Sequence, residues 1–63
     1  MLVLCRNRSG LALYININQV VSICEKPVYP GSVEKDYIVA YSNGDTDIIC
    51  DADASKLINK MHL

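Results

Sequence analysis

Asp45 and Asp47 stand with a hydroxyl and a glycine inside one short run, YSNGDTDIIC, at residues 41–50. Carboxylates at that density suit either an oxygen-ligand metal loop or a chain reversal with solvated acids. A calcium loop needs more oxygen ligands spread over a longer loop. Asn43-Gly44 between two β-prone runs is instead a hairpin signal, because a two-residue type I′ turn needs positive φ at both central residues. Such a turn pairs Ser42 with Asp45, Tyr41 with Thr46, Ala40 with Asp47, Val39 with Ile48, Ile38 with Ile49 and Tyr37 with Cys50. Apolar meets apolar at the last three pairs. Asp45 and Asp47 are then left near the tip, in water, and no metal is expected there.

Cys5, Cys24 and Cys50 are widely spaced, no C-x-x-C occurs, and His62 is the single histidine. A closed zinc site would need all four to converge. The alternative is three small buried hydrophobes, reduced in a cytoplasmic protein. Cys5 and His62 could form a nucleophile and base, but nothing in the sequence orients them and a chain end frays. Asp51 and Asp53 suit helix capping better than acid–base work. None of the role-by-role requirements of an active site is met. A non-enzyme is expected, with no catalytic residue, cofactor or metal.

Binding has better raw material. Arg6, Arg8, Ser9 and the backbone near Gly10 could cradle a phosphate through bidentate guanidinium contacts and a turn of N–H groups. The alternative is a solvated charged turn. The only aromatics are Tyr14, Tyr29, Tyr37 and Tyr41. They suit stacking on a base, a protein interface, or half-buried sheet packing. The candidate ligand-binding set is Arg6, Arg8, Ser9, Tyr14, Tyr37 and Tyr41.

These side chains need a scaffold, and hydrophobic periodicity outlines one. Leu2 to Cys5 is apolar and β-prone, and Asn7 to Gly10 reads as a turn. From Leu11 to Asn18 the odd positions are Leu11, Leu13, Ile15 and Ile17, a period of two with one buried face. Val20 to Cys24 reads as a third strand. Glu25 to Asp36, with Pro27, Pro30 and Gly31, is the one long loop. Tyr37 to Ser42 and Asp45 to Cys50 form the hairpin. Asp51 or Asp53 caps a short helix on which Ala54, Leu57, Ile58 and Met61 recur at i, i+3, i+4 and i+7. Lys56, Asn59 and Lys60 face away, while Lys60 and His62 suit the C-terminal end of the helix dipole. The expectation is α+β: a small antiparallel β-sheet of about five strands with one short C-terminal helix.

A chain of 63 residues makes one domain, residues 1–63, with a thin core. Its apolar share of 51% is high for so little interior, which points to a contact between chains. The formal net charge of −1 gives no basic excess to hold a phosphate backbone and little repulsion between identical chains. No apolar run approaches the ~20 residues of a membrane span. The apolar start Met1–Leu4 is cut off by Arg6 and Arg8, unlike a signal peptide.

From Ile15 onward the chain resembles the small flagellar FlbD/SwrD proteins. The likeness rests on Ile15-Asn16 with the apolar strand to Ile23-Cys24-Glu25, then strand, Asn-Gly turn, strand and helix from Ile38 to Met61. Residues 26–36 look like an insertion. The family implies an accessory regulatory role without catalysis. The start, Met1-Leu2-Val3-Leu4-Cys5-Arg6 followed by Gly10, resembles the carbon storage regulator CsrA family of dimeric RNA-binding proteins. That likeness implies Leu4 and Arg6 on an RNA-binding first strand. Asp51-Ala52-Asp53 replaces that family's basic segment before the helix, and acid repels phosphate. The expected function is a non-enzymatic regulatory or inhibitory binding module, homo-oligomeric, cytoplasmic, and bacterial or phage in origin. Its partners are itself and a protein. Alternatives are a small nucleotide signal bound at a subunit interface, or RNA; no membrane partner is expected.

Overall fold

A computed structural model describes residues 1–61. The chain forms β1 (Leu2–Arg6), β2 (Ala12–Asn16), one turn of 3-10 helix (Ile17–Gln19), β3 (Val20–Pro27), β4 (Lys35–Tyr41), β5 (Thr46–Cys50) and α1 (Asp51–Met61). This is the expected α+β architecture, with five antiparallel strands and a C-terminal helix. The strands divide into two sheets, β1–β2 and β3–β4–β5, where one was expected. The division falls at the 3-10 turn. Asn16 caps it, its side-chain oxygen accepting from the Asn18 N–H at 3.1 Å. Gln19 anchors its far end: the Gln19 carbonyl accepts from the Ser42 N–H at 2.8 Å, and its side chain from the Ser42 hydroxyl at 2.7 Å.

In the first hairpin Val3 faces Ile15 and Cys5 faces Leu13, so the odd positions turn inward as the period predicts. Ile17 packs on the same core from the 3-10 turn. Leu11 departs from this pattern and is 61% exposed. Asn7 accounts for it. The Asn7 N–H bonds the Leu11 carbonyl, while the Asn7 carbonyl and side-chain oxygen accept from the Gly10 and Leu11 N–H groups. Leu11 is thereby consumed by the turn.

The expected loop at 25–36 is shorter in the structure, because β3 runs on to Pro27 and β4 starts at Lys35. Glu25 pairs with Tyr37, Lys26 with Asp36 and Pro27 with Lys35. The Lys35 ammonium reaches the Glu25 carboxylate across the ladder at 3.1 Å.

The second hairpin forms where expected, but its register is shifted by one. Ala40 pairs with Thr46, Val39 with Asp47, Ile38 with Ile48, Tyr37 with Ile49 and Asp36 with Cys50. The Gly44 N–H bonds the Tyr41 carbonyl and the Tyr41 N–H bonds the Asp45 carbonyl. That is a three-residue loop with Gly44 alone at positive φ, +92°. No non-glycine residue among those described has positive φ. The loop thus avoids the left-handed strain that a type I′ turn would place on Asn43. Asn43 instead accepts from the Asp45 N–H at 2.9 Å.

The shifted register sets Val39 and Ile49 on the inner face. They join Val3, Cys5, Ile15, Ala54 and Leu57 in a core that also gathers Leu13, Ile17, Val20, Ile23, Tyr37, Tyr41 and Met61. Helix α1 buries Ala54 and Leu57 against it, while Ile58 is 42% exposed and lies off the expected stripe. Asp53 sits in the first turn of α1 rather than capping it from outside. Its carboxylate accepts from the Arg6 N–H at 2.6 Å and from the Cys50 thiol at 3.6 Å, which ties β1 and β5 to the helix start. The cysteines are not uniformly buried: Cys5 is in the core, Cys50 is half-buried and Cys24 is exposed. Cys24 pairs with Ile38, on the face of β3–β4–β5 away from the core. The reading of His62 lies outside the described residues.

Candidate functional site

The turn between β1 and β2 and the outer strand β5 enclose a cleft of about 450 Å³. Asn7, Arg8 and Ser9 form one side, Leu11 and Leu13 continue it, and Thr46, Asp47 and Ile48 of β5 stand opposite, with Asp36 closing the end.

Arg8 is the strut of this cleft. Its guanidinium lies 3.0 Å from Asp36 and 3.3 Å from Glu34, and donates to the Lys35 carbonyl at 3.5 Å. The Asp36 hydrogen bond holds Arg8 still more firmly protonated than usual. These partners bring the first hairpin turn onto the start of β4. They also occupy the fork that a phosphate would need. The Gly10 and Leu11 N–H groups, the expected anion nest, are already bonded to Asn7. Asp36 and Asp47 make the cleft acidic on balance, since among the described residues that line it Arg8 alone opposes them. An anion entering would have to displace Asp36 and lie near Asp47, so the cleft suits a cationic or hydrogen-bonding guest better.

Asp47 departs from its expected place in water. It is half-buried and accepts from the Tyr41 hydroxyl at 2.7 Å. Burial first, then that bond and the Asp47 charge, push the Tyr41 pKa well above its ordinary value. Tyr37 also packs against the core, with its hydroxyl 3.4 Å from Glu25.

The six candidate residues fall in three places. Arg8 and Ser9 share the cleft. Tyr37 and Tyr41 lie on the inner face of β3–β4–β5. Tyr14, opposite Leu4, and Arg6, opposite Ala12, lie on the outer face of the first hairpin. Sequence reasoning did not bring Asp36, Leu13 or Ile48 into a site. Arg8 and Asp36 lie far apart in the chain, and no local pattern signals their pairing. Among the described residues no group of three or more metal-ligating side chains is assembled.

No family model, curated protein or solved structure matches the chain. No helix among the described residues is long and apolar enough to cross a membrane.

Proposed function

We propose that the chain is a non-enzymatic binding module with a regulatory or inhibitory role, working as a homo-oligomer through the outer face of β1–β2. One observation carries this reading. The inner face of that hairpin is packed, yet its outer face leaves Leu2 at 62% and Tyr14 at 71% exposure, with Met1 beside them at 66%. Leu4 pairs directly with Tyr14 and completes the patch. Contiguous apolar surface of this kind marks an interaction site. A second copy is the natural occupant. The patch carries one charged side chain, Arg6, and a net charge of −1 leaves identical chains little mutual repulsion. A two-fold arrangement is the commonest closure.

The nucleotide and RNA readings draw less support, because Arg8 is engaged by acidic partners and the cleft it lines is acidic. Sedimentation equilibrium at micromolar concentration tests the proposal. Wild type is expected to exceed the 7.0 kDa of one chain. The double variant Leu2→Ser, Tyr14→Ser is expected to return to it with unchanged far-UV circular dichroism. A well-folded wild-type monomer would sink the oligomer reading.

A further inference from the structure

We infer that the open edge of β5, inside the Arg8 cleft, is a strand-addition site for an extended segment of a partner protein with alternating basic and apolar side chains. The inference rests on the reading of the chain as a binding module, but it concerns a different surface from the β1–β2 face.

The direction of the β5 backbone follows from its pairing. The Tyr41 N–H bonds the Asp45 carbonyl, so that pair is a hydrogen-bonding position of the ladder, closed by one bond at the loop. An antiparallel ladder alternates. With the register Val39↔Asp47 and Tyr37↔Ile49, residues 45, 47 and 49 aim their backbone groups at β4. Thr46 and Ile48 therefore aim theirs away from it. β5 is the last strand of its sheet; β1 packs close to it, but among the described residues no strand pairs with its outer edge. Both residues line the cleft together with Leu11 and Leu13.

The opposite edge of the same sheet is treated differently. β3 carries a bulge between Val20 and Ser22, the charges Glu25 and Lys26, and Pro27. Applied to β3, the same alternation points the position of the missing Pro27 N–H outward. These are devices that block edge pairing. β5 has no proline, and its ladder with β4 is regular throughout. Its one deterrent is chemical: Asp47 points to the inner side and Asp45 precedes it.

That deterrent selects the occupant. A second β5 in antiparallel two-fold pairing centred on Thr46, Asp47 or Ile48 would set Asp47 against Asp45, Asp47 against Asp47, or Asp45 against Asp51. Like charges directly opposite are destabilising. A segment from another protein with a basic residue opposite Asp47 turns the same charge into an attraction. Its alternate residues then lie over Ile48, which is 41% exposed. Main-chain bonds to Thr46 and Ile48 would supply affinity and these two contacts specificity.

Nuclear magnetic resonance of the full chain tests this in two stages. In the free protein, the Thr46 and Ile48 amides are expected to exchange with solvent far faster than those of Asp47 and Ile49. An acetylated heptapeptide alternating lysine and valine is then expected to give saturable shifts at Thr46, Ile48 and Leu13. Asp47→Asn keeps an acceptor for Tyr41 but removes the charge, and is expected to weaken the peptide about two- to fivefold. Three results would overturn the inference: equal amide protection along β5, no shift there at millimolar peptide, or equal binding of a glutamate–valine peptide. Shifts confined to Tyr14 and Leu4 would also overturn it, while leaving the β1–β2 interface standing. The solution mass reads that interface separately.

Discussion

Tyr41 and Cys5 make stability depend on pH in a definable direction. Both groups hold their protons more tightly than usual, chiefly because burial disfavours the charged form. A group whose folded pKa is raised stabilises the fold below its unfolded pKa, and the contribution is lost as pH climbs through the folded value. The unfolded values are ~8.5 for cysteine and ~10 for tyrosine. Urea melts are therefore expected to show stability falling from about pH 8.5 upward and falling further above pH ~10. Tyr41→Phe is expected to flatten the upper part of the slope and to cost ~1–3 kcal/mol near neutrality, because Asp47 loses its donor. A pH-independent wild type would contradict this account.

Gly44 isolates a second cause at the same scale. A Cβ built there meets no atom within 4 Å, so a substitution there meets no steric clash with a neighbouring atom. The φ of +92° is the sole obstacle. Gly44→Val is expected to lose more than ~1 kcal/mol in urea unfolding, from backbone strain alone. Asp45→Asn is expected to stay within ~0.5 kcal/mol, since its surroundings are exposed.

Helix and strands differ in how much of their placement the sequence reveals. The stripe of Ala54, Leu57 and Met61 is readable from spacing alone, because a helix repeats its contacts every turn. Leu57 is fully buried, so Leu57→Ala is expected to cost ~2–5 kcal/mol, whereas Ile58→Ser should fall within about 1 kcal/mol in the same melts. The two residues look alike in sequence, and only docking on the sheet separates them. The second hairpin shows a similar limit. Asn43-Gly44 locates the reversal but serves a two-residue and a three-residue loop equally. The choice moves every partner by one and carries Asp47 from solvent to the inner face. The cleft was less legible still. Arg8 meets Asp36 only once β3–β4–β5 is assembled, and an open edge on β5 has meaning only when the strand order is known. Paired charges and apolar alternation are local signals; sheet edges are not.

At the scale of the molecule, the buried hydrophobic side chains are few: seven among the described residues, spread over both sheets and the helix. Domains of this length hold only a few kcal/mol unaided. Covering the Leu2–Leu4–Tyr14 face with a second copy adds apolar burial to a fold with little of its own, so folding and association become linked. For a linked dimer, a tenfold change in concentration alters the free energy by ~1.4 kcal/mol per dimer. Against an unfolding entropy of ~2.1 cal/mol/K per residue in two chains, that corresponds to a shift in Tm of about 5 °C. Differential scanning calorimetry from ~10 to ~100 µM chain is expected to show a rise of that order for wild type. The Leu2→Ser, Tyr14→Ser variant is expected to melt lower, at a temperature independent of concentration. The exposed positions of both residues make loss of fold a poor explanation for that difference. A wild-type Tm that does not move with concentration would detach stability from association and leave the outer face of β1–β2 without the role given to it.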